Sequence, residues 1–211
     1  MMIPSEHDFA QAVALWREWN GRINVVSRKD EENIFAHHIL HSLAIAQYLE
    51  IYYPGAGGSF LDVGTGGGFP GIPLAMVMPA AKFTLCDSIG KKVKVAQAVS
   101  DGLDLKNVEC VNARVESLPG QWDWVVSRAV TSLENFYPWV MGRFRNSILY
   151  LKGGDVDAEI AAMRKKYAVP AENIRTWRID SWLNDEYFAE KFVIEIGKNY
   201  LCTPKLEKLK K

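Results

Sequence analysis

The sequence predicts an α/β protein in which a doubly wound, mainly parallel seven-stranded sheet follows an N-terminal helical extension. Three observations predict it. From about residue 59 onward, short β-rich runs alternate with helical periods, which places helices on both faces of a parallel sheet. The run Phe60-Leu61-Asp62-Val63 enters a turn containing Gly64, Gly66, Gly67 and Gly68, followed by Pro70 and Pro73. Before that run, Phe9, Val13 and Trp16, then Ile39, Leu43, Ala46 and Leu49, recur at helical spacing.

Residues 1–55 form the extension, ended by Tyr53-Pro54-Gly55-Ala56-Gly57-Gly58, a run of turn formers. Residues 56–200 carry the sheet, and 201–211 form a basic tail. Strands are expected near 59–63, 82–86, 108–112, 123–127, 146–151, 173–179 and 191–196. Helices are expected near 70–77, 89–101, 132–142 and 156–167. Pro70 and Pro73 suit a helix's first turn, where a missing N–H costs nothing. Gly102 stops the second helix of this set. Phe192-Val193-Ile194-Glu195-Ile196 alternates apolar and polar, the pattern of a half-exposed edge strand that would run antiparallel.

Hydrophobic residues make up 48% of the 211, enough for a core that buries about 70% of the chain's surface. No apolar run approaches the roughly 18 residues of a membrane span. Glu6, Asp8 and Arg17 interrupt the N-terminus, so no secretion leader is expected. Cys86, Cys110 and Cys202 are odd in number and form no CxxC pair. That argues against zinc and disulfides and for a reducing cytoplasm. Basic and acidic residues balance at 25 each, whereas strong non-specific binding to nucleic acid favours a basic surplus. Neutrality neither supports nor excludes an RNA substrate.

Glycines between a strand and a helix N-terminus let backbone N–H groups approach a ligand unhindered. A dinucleotide fingerprint needs glycines at positions one, three and six, the first directly after the strand. Counted from Gly64, the sixth position is Phe69. Counted from Gly66, the pattern is met by Gly68 and Gly71, but it starts beyond the strand end. The better description is acidic-x-Gly-x-Gly-x-Gly, from Asp62 through Gly64, Gly66 and Gly68. It resembles the first motif of S-adenosylmethionine-dependent methyltransferases. Asp62 suits a ligand with a cationic methionine end.

Asp87 stands at the end of the next strand, at a spacing close to the about 20 residues expected of an acid that holds ribose hydroxyls. A helix N-cap is its alternative reading. Ligands of open α/β sheets sit at the carboxyl ends of strands, so Asp62 and Asp87 would flank one crevice. His37 and His41 share a helix face, but without a cysteine or an HExxH glutamate they do not make a metal site, and none is expected.

Taken together these pieces resemble the RsmG family, also called GidB. The matching residues are Asp62-Val63-Gly64-Thr65-Gly66, Gly68-Phe69-Pro70-Gly71-Ile72-Pro73-Leu74, Phe83-Thr84-Leu85, Asp87-Ser88, Arg114-Val115-Glu116, Ser127-Arg128-Ala129 and Leu151-Lys152-Gly153. Upstream, Trp19-Asn20, Asn24 and His38-Ile39-Leu40 also match. The resemblance implies a Rossmann-like class I methyltransferase that transfers a methyl group to N7 of a guanine in the decoding-region loop of 16S ribosomal RNA. Its cofactor would be S-adenosyl-L-methionine, contacted by Gly64, Phe69, Val115, Glu116 and Arg128. Its partner would be the small ribosomal subunit or its RNA. Apart from the resemblance, no DNA or membrane partner is expected, and a monomer is expected.

The sequence departs from the family at His41, where relatives often carry an aspartate, and in a reduced basic C-terminal segment. N7 of neutral guanine offers a lone pair, so no general base is expected, and orientation carries the catalysis. Arg128 and Lys152 are candidate positioners of anionic groups. Two other readings stay open: a nicotinamide oxidoreductase using the shifted Gly66 register, and a non-enzymatic ribosome-assembly factor that keeps the cofactor pocket.

Overall fold

The computed structural model describes residues 3–197; the expected tail 201–211 and Cys202 lie outside the described residues. Helices α1 (Ala10–Asn20) and α2 (His41–Tyr52) build the extension, and a π-type stretch over Ile34–Leu40 leads into α2. There follow β1 (Ser59–Val63), α3 (Gly71–Val77), β2 (Lys82–Asp87), α4 (Gly90–Gly102) and β3 (Val108–Asn112). The remainder is β4 (Trp122–Arg128), α5 (Leu133–Val140), β5 (Phe144–Gly153), α6 (Val156–Tyr167), β6 (Ile174–Arg178) and β7 (Lys191–Gly197). No described helix is long and apolar enough to cross a membrane.

The strand order is β3-β2-β1-β4-β5-β7-β6. Strands β1 to β5 are parallel, and β7 runs antiparallel to both β5 and β6. The chain steps outward from β1 to β3, then returns to place β4 on the other side of β1. Such a reversal opens a crevice at the carboxyl ends of the two strands that flank it.

Two-residue alternation divides the apolar side chains between the faces of the sheet. Phe60 belongs to the same buried cluster as Trp16, Leu43 and Ile72 from the extension and α3, whereas Leu61 and Val63 belong to a second cluster with Phe136 and Met163 from α5 and α6. Asp62 therefore shares the face of Phe60. The extension is part of the same core: Trp16, Tyr48 and Phe60 are all fully buried within it.

Strand β7 corrects one expectation. It is antiparallel as expected, but it lies between β5 and β6, and β6 is the edge. Glu195, the polar member of its alternation, is fully buried. Its carboxylate accepts hydrogen bonds from Tyr48 and Tyr53 and from Ser147 Oγ at 2.7 Å. Alternation separates two faces correctly, but here helix α2 covers the polar one instead of water.

Candidate active site

A cavity of about 390 Å³ opens at the carboxyl ends of β1 and β4. Of the residues singled out from sequence, Gly64, Asp87, Val115, Glu116 and Arg128 line it. The fold brings them together from the ends of four parallel strands or the turns that follow. Asp62, Gly66, Gly68, Phe69 and Lys152 lie outside its wall.

The glycine loop is held from three directions. Gly64 N–H and Thr65 N–H donate to the Cys86 carbonyl at 2.8 and 3.1 Å. Gly66 N–H donates to Asp87 Oδ2 at 2.9 Å, and the other carboxylate oxygen accepts from Ile89 N–H at 2.8 Å. Asp87 thus braces the loop against β2 and also opens the turn into α4. Each of its oxygens keeps a lone pair for a ligand. Gly64 has φ +70°, and a Cβ there would sit 2.4 Å from Val130 Cγ2, so neither the backbone nor the space admits a side chain.

Asp62 lies beneath the loop. Its Oδ2 accepts from Thr65 Oγ1 at 2.6 Å and from Gly71 N–H at 2.8 Å, while Oδ1 is buried without a hydrogen-bond partner. Burial pushes its carboxyl up to about 7, against the opposing pull of the Thr65 and Gly71 bonds. The face it occupies follows from strand parity with Phe60.

The extension supplies the third hold, which sequence reasoning missed. Trp16 is fully buried, donates its indole N–H to the Gly67 carbonyl at 2.7 Å, and stacks on Phe69 at 4.2 Å between ring centroids. Phe69 in turn lies 4.9 Å from the Arg128 guanidinium. Helical spacing marked Trp16 as a core residue; nothing local tells that its N–H serves a loop some fifty residues away. Trp16→Phe is expected to cost about 1–3 kcal/mol in urea unfolding, the range for a buried carbonyl left without its donor. An unchanged midpoint would show that the loop holds its shape without the indole.

Val115 is buried and Glu116 exposed in a 3-10 turn after β3, both on the cavity wall. Trp139, reaching in from α5, and Ile89 add apolar surface that strand-end reasoning does not detect. Lys152 forms an ion pair with Glu159 at 2.9 Å and donates to the Thr131 carbonyl at 3.1 Å, which engages it away from the cavity. No group of three or more His, Cys, Asp or Glu side chains fit to hold a metal exists among the described residues.

A glycine loop after β1, an acid closing β2 and an antiparallel β7 inserted beside β5 define a Rossmann-like methyltransferase fold. Magnesium protoporphyrin IX methyltransferase from Synechocystis PCC 6803, solved with bound SAM, shares that fold at a TM-score of 0.63. It is 16% identical, covering 90% of this chain and 93% of its own. The family model described as GidB, rRNA small subunit methyltransferase G, matches residues 5–179. The ribosomal RNA small subunit methyltransferase G of Christiangramia forsetii is 42% identical over 200 residues, 91% of this chain and 90% of that protein. The protein of the same name from Porphyromonas gingivalis is 44% identical over 195 residues, 88% of this chain and 84% of that one. The chain belongs to the GidB family of small-subunit rRNA methyltransferases.

Proposed function

We propose that this protein methylates N7 of a guanine in 16S ribosomal RNA, taking the methyl group from S-adenosylmethionine. Family membership carries the reaction class and the RNA. The observation that supports the cofactor is Asp87, nearly buried at the cavity wall with lone pairs left for two vicinal hydroxyls. The dinucleotide alternative loses its register: β1 ends at Val63, so the glycine directly after the strand is Gly64, and its sixth position is Phe69.

The residues present fit the cofactor. The cavity has the size and the mixed lining of a small-molecule site, and Gly64 keeps the loop backbone pressed close to it. Asp87 would accept from both ribose hydroxyls. Val115 would cover one face of the adenine, and Glu116 would accept from its amino group. Asp62 would keep the loop closed through Thr65 and Gly71 and, lying beneath the loop rather than on the cavity wall, would act on the cationic methionine end as a charge across the loop and not by contact. Arg128 would hold an anion, either the cofactor's carboxylate or an RNA phosphate. Lys152 could position substrate only by leaving Glu159. When bound, S-adenosylmethionine supplies the electrophilic methyl group. The guanine N7 lone pair lies in the base plane and needs no proton removed, so the protein's task is alignment.

The test is chemical mapping of N7 methylation in ribosomal RNA from a strain lacking this gene, before and after treatment with purified protein and cofactor. A guanine that gains the methyl group on small subunits or on naked RNA supports the reading. RNA already fully methylated in the deletion strain, or never methylated in the assay, removes it and leaves the assembly-factor alternative. At the cofactor level, Asp87→Ala is expected to weaken binding of S-adenosylhomocysteine by roughly 1.5–3 kcal/mol, the loss for charge-assisted hydrogen bonds. Calorimetry that finds unchanged affinity would take Asp87 out of the site.

A further inference from the structure

We propose that Asp30 and His38, both from the extension, are positioning residues that aim Arg128 at its anion without neutralising it; this rests on the methyltransferase reading of the cavity. Arg128 Nη2 lies 2.9 Å from His38 Nδ1. His38 Nε2 lies 2.8 Å from Asp30 Oδ2, and the other Asp30 oxygen meets His37 Nδ1 at 2.5 Å. His37 is itself pinned flat against Tyr187, with centroids 3.5 Å apart and planes within 5°.

The direction of each hydrogen bond follows from the partners. A carboxylate only accepts and a guanidinium only donates. The imidazole between them must therefore carry its proton on Nε2 and its lone pair on Nδ1. Burial, and then the Arg128 charge, push His38 down to about 4, so it is neutral near pH 7. Burial alone would raise Asp30, but the bonds from His37 and His38 prevail and hold it below the usual carboxylate value. Arg128 is lowered by burial to about 10 and stays cationic.

A neutral imidazole at this place has a consequence that an aspartate would not. Among the described residues no carboxylate forms an ion pair with Arg128, although Asp30 lies one side chain away. A direct Asp–Arg pair would orient the guanidinium but satisfy its charge and compete with any ligand anion. With His38 interposed, one N–H is fixed, the others remain for the cavity, and the full charge stays available. Phe69 against the guanidinium restricts it further.

The experiment is a double-mutant cycle on the full-length protein, read by calorimetry with S-adenosylhomocysteine and by kcat and KM on isolated small subunits. His38→Gln places its amide near the Nε2 position and gives Arg128 no acceptor; His38→Asn places an oxygen near Nδ1. His38→Gln is expected to weaken the Arg128-dependent step about tenfold, the loss of one hydrogen bond to a charged group. His38→Asn should recover most of it, and His38→Gln should cost nothing further in an Arg128→Lys background. A shift in S-adenosylhomocysteine affinity assigns the anion to the cofactor's carboxylate. A shift confined to the KM for subunits assigns it to an RNA phosphate.

Wild-type binding and turnover with His38→Gln, multiplying losses in the double variant, or no difference between Gln and Asn overturns the relay. Should His38→Gln fail to fold, Asp30→Asn is measured instead, with a smaller loss expected in the same arm and no change overturning the proposal. A wild-type protein that binds no S-adenosylhomocysteine fails the underlying reading, an outcome distinct from a failed relay.

Discussion

Asp62→Asn is expected to gain stability relative to the wild-type protein as pH rises, by roughly 2–3 kcal/mol between pH 5 and pH 8 without cofactor. The sign follows from the raised carboxyl. Asp62 stands at about 7 in the folded protein against an ordinary aspartate value of 3.8, chiefly because burial penalises its charged form. Below about pH 4 the group is protonated folded and unfolded, and it contributes no pH dependence. Between about pH 4 and pH 7 the unfolded chain ionises first, so stability falls with rising pH. Above pH 7 the deficit is complete, roughly 4 kcal/mol for about three pK units. Asparagine does not titrate, so other groups cancel in the difference between the two proteins. Urea unfolding at several pH values gives that difference directly. A flat difference from pH 5 to pH 8 would mean that Asp62 is ionised throughout, with its charge already satisfied. The same variant should bind S-adenosylhomocysteine less well, since the negative charge beneath the loop is proposed to attract the cationic methionine end across it. A folding penalty at a residue that a ligand can relieve is what a stability–function trade-off predicts.

The strand ends were legible because each announces itself locally. Val63 runs into glycines, Cys86 into Asp87, and Ser127 into Arg128, and the sheet's crevice rule turns those three endings into one place. Asp62 was legible as an acid of the motif, but its aim was not, although counting two residues on from Phe60 puts it beneath the loop. The inside of the extension was hidden for another reason. His37 and His38 are adjacent in sequence, yet their shared partner Asp30 precedes them by about two turns and reaches them through irregular 3-10 and π-type backbone. Periodicity assumes one regular helix and has no term for such a bend. Trp16 and Gly67 meet only after the extension folds back on the sheet, a tertiary fact with no local trace.

Glu195 escapes sequence reasoning on the same ground, and it carries the largest expected loss of stability. Glu195→Ala should cost about 3–5 kcal/mol, the range for removing one partner from a buried ionic network. The carboxylate is fully buried on β7 and gathers hydroxyl donors from Tyr48 in α2, Tyr53 just after it, and Ser147 in β5, with Arg175 of β6 at 3.8 Å. Alanine would leave those hydroxyls in a dry site without this acceptor, and each stranded donor carries a desolvation cost. Tyr48→Phe removes a single donor and leaves the acceptor served by the others, so it should cost only about 1 kcal/mol. The contrast tests whether Glu195 serves more than the Tyr48 hydroxyl: equal losses for the two variants in urea unfolding would sink the network reading. Because α2 continues from the stretch that holds His38, loosening it at Glu195 should also lower methylation per folded molecule, although no cavity residue is touched. Activity that stays at the wild-type level in Glu195→Ala, at temperatures where it is fully folded, would show that the sheet alone orients Arg128.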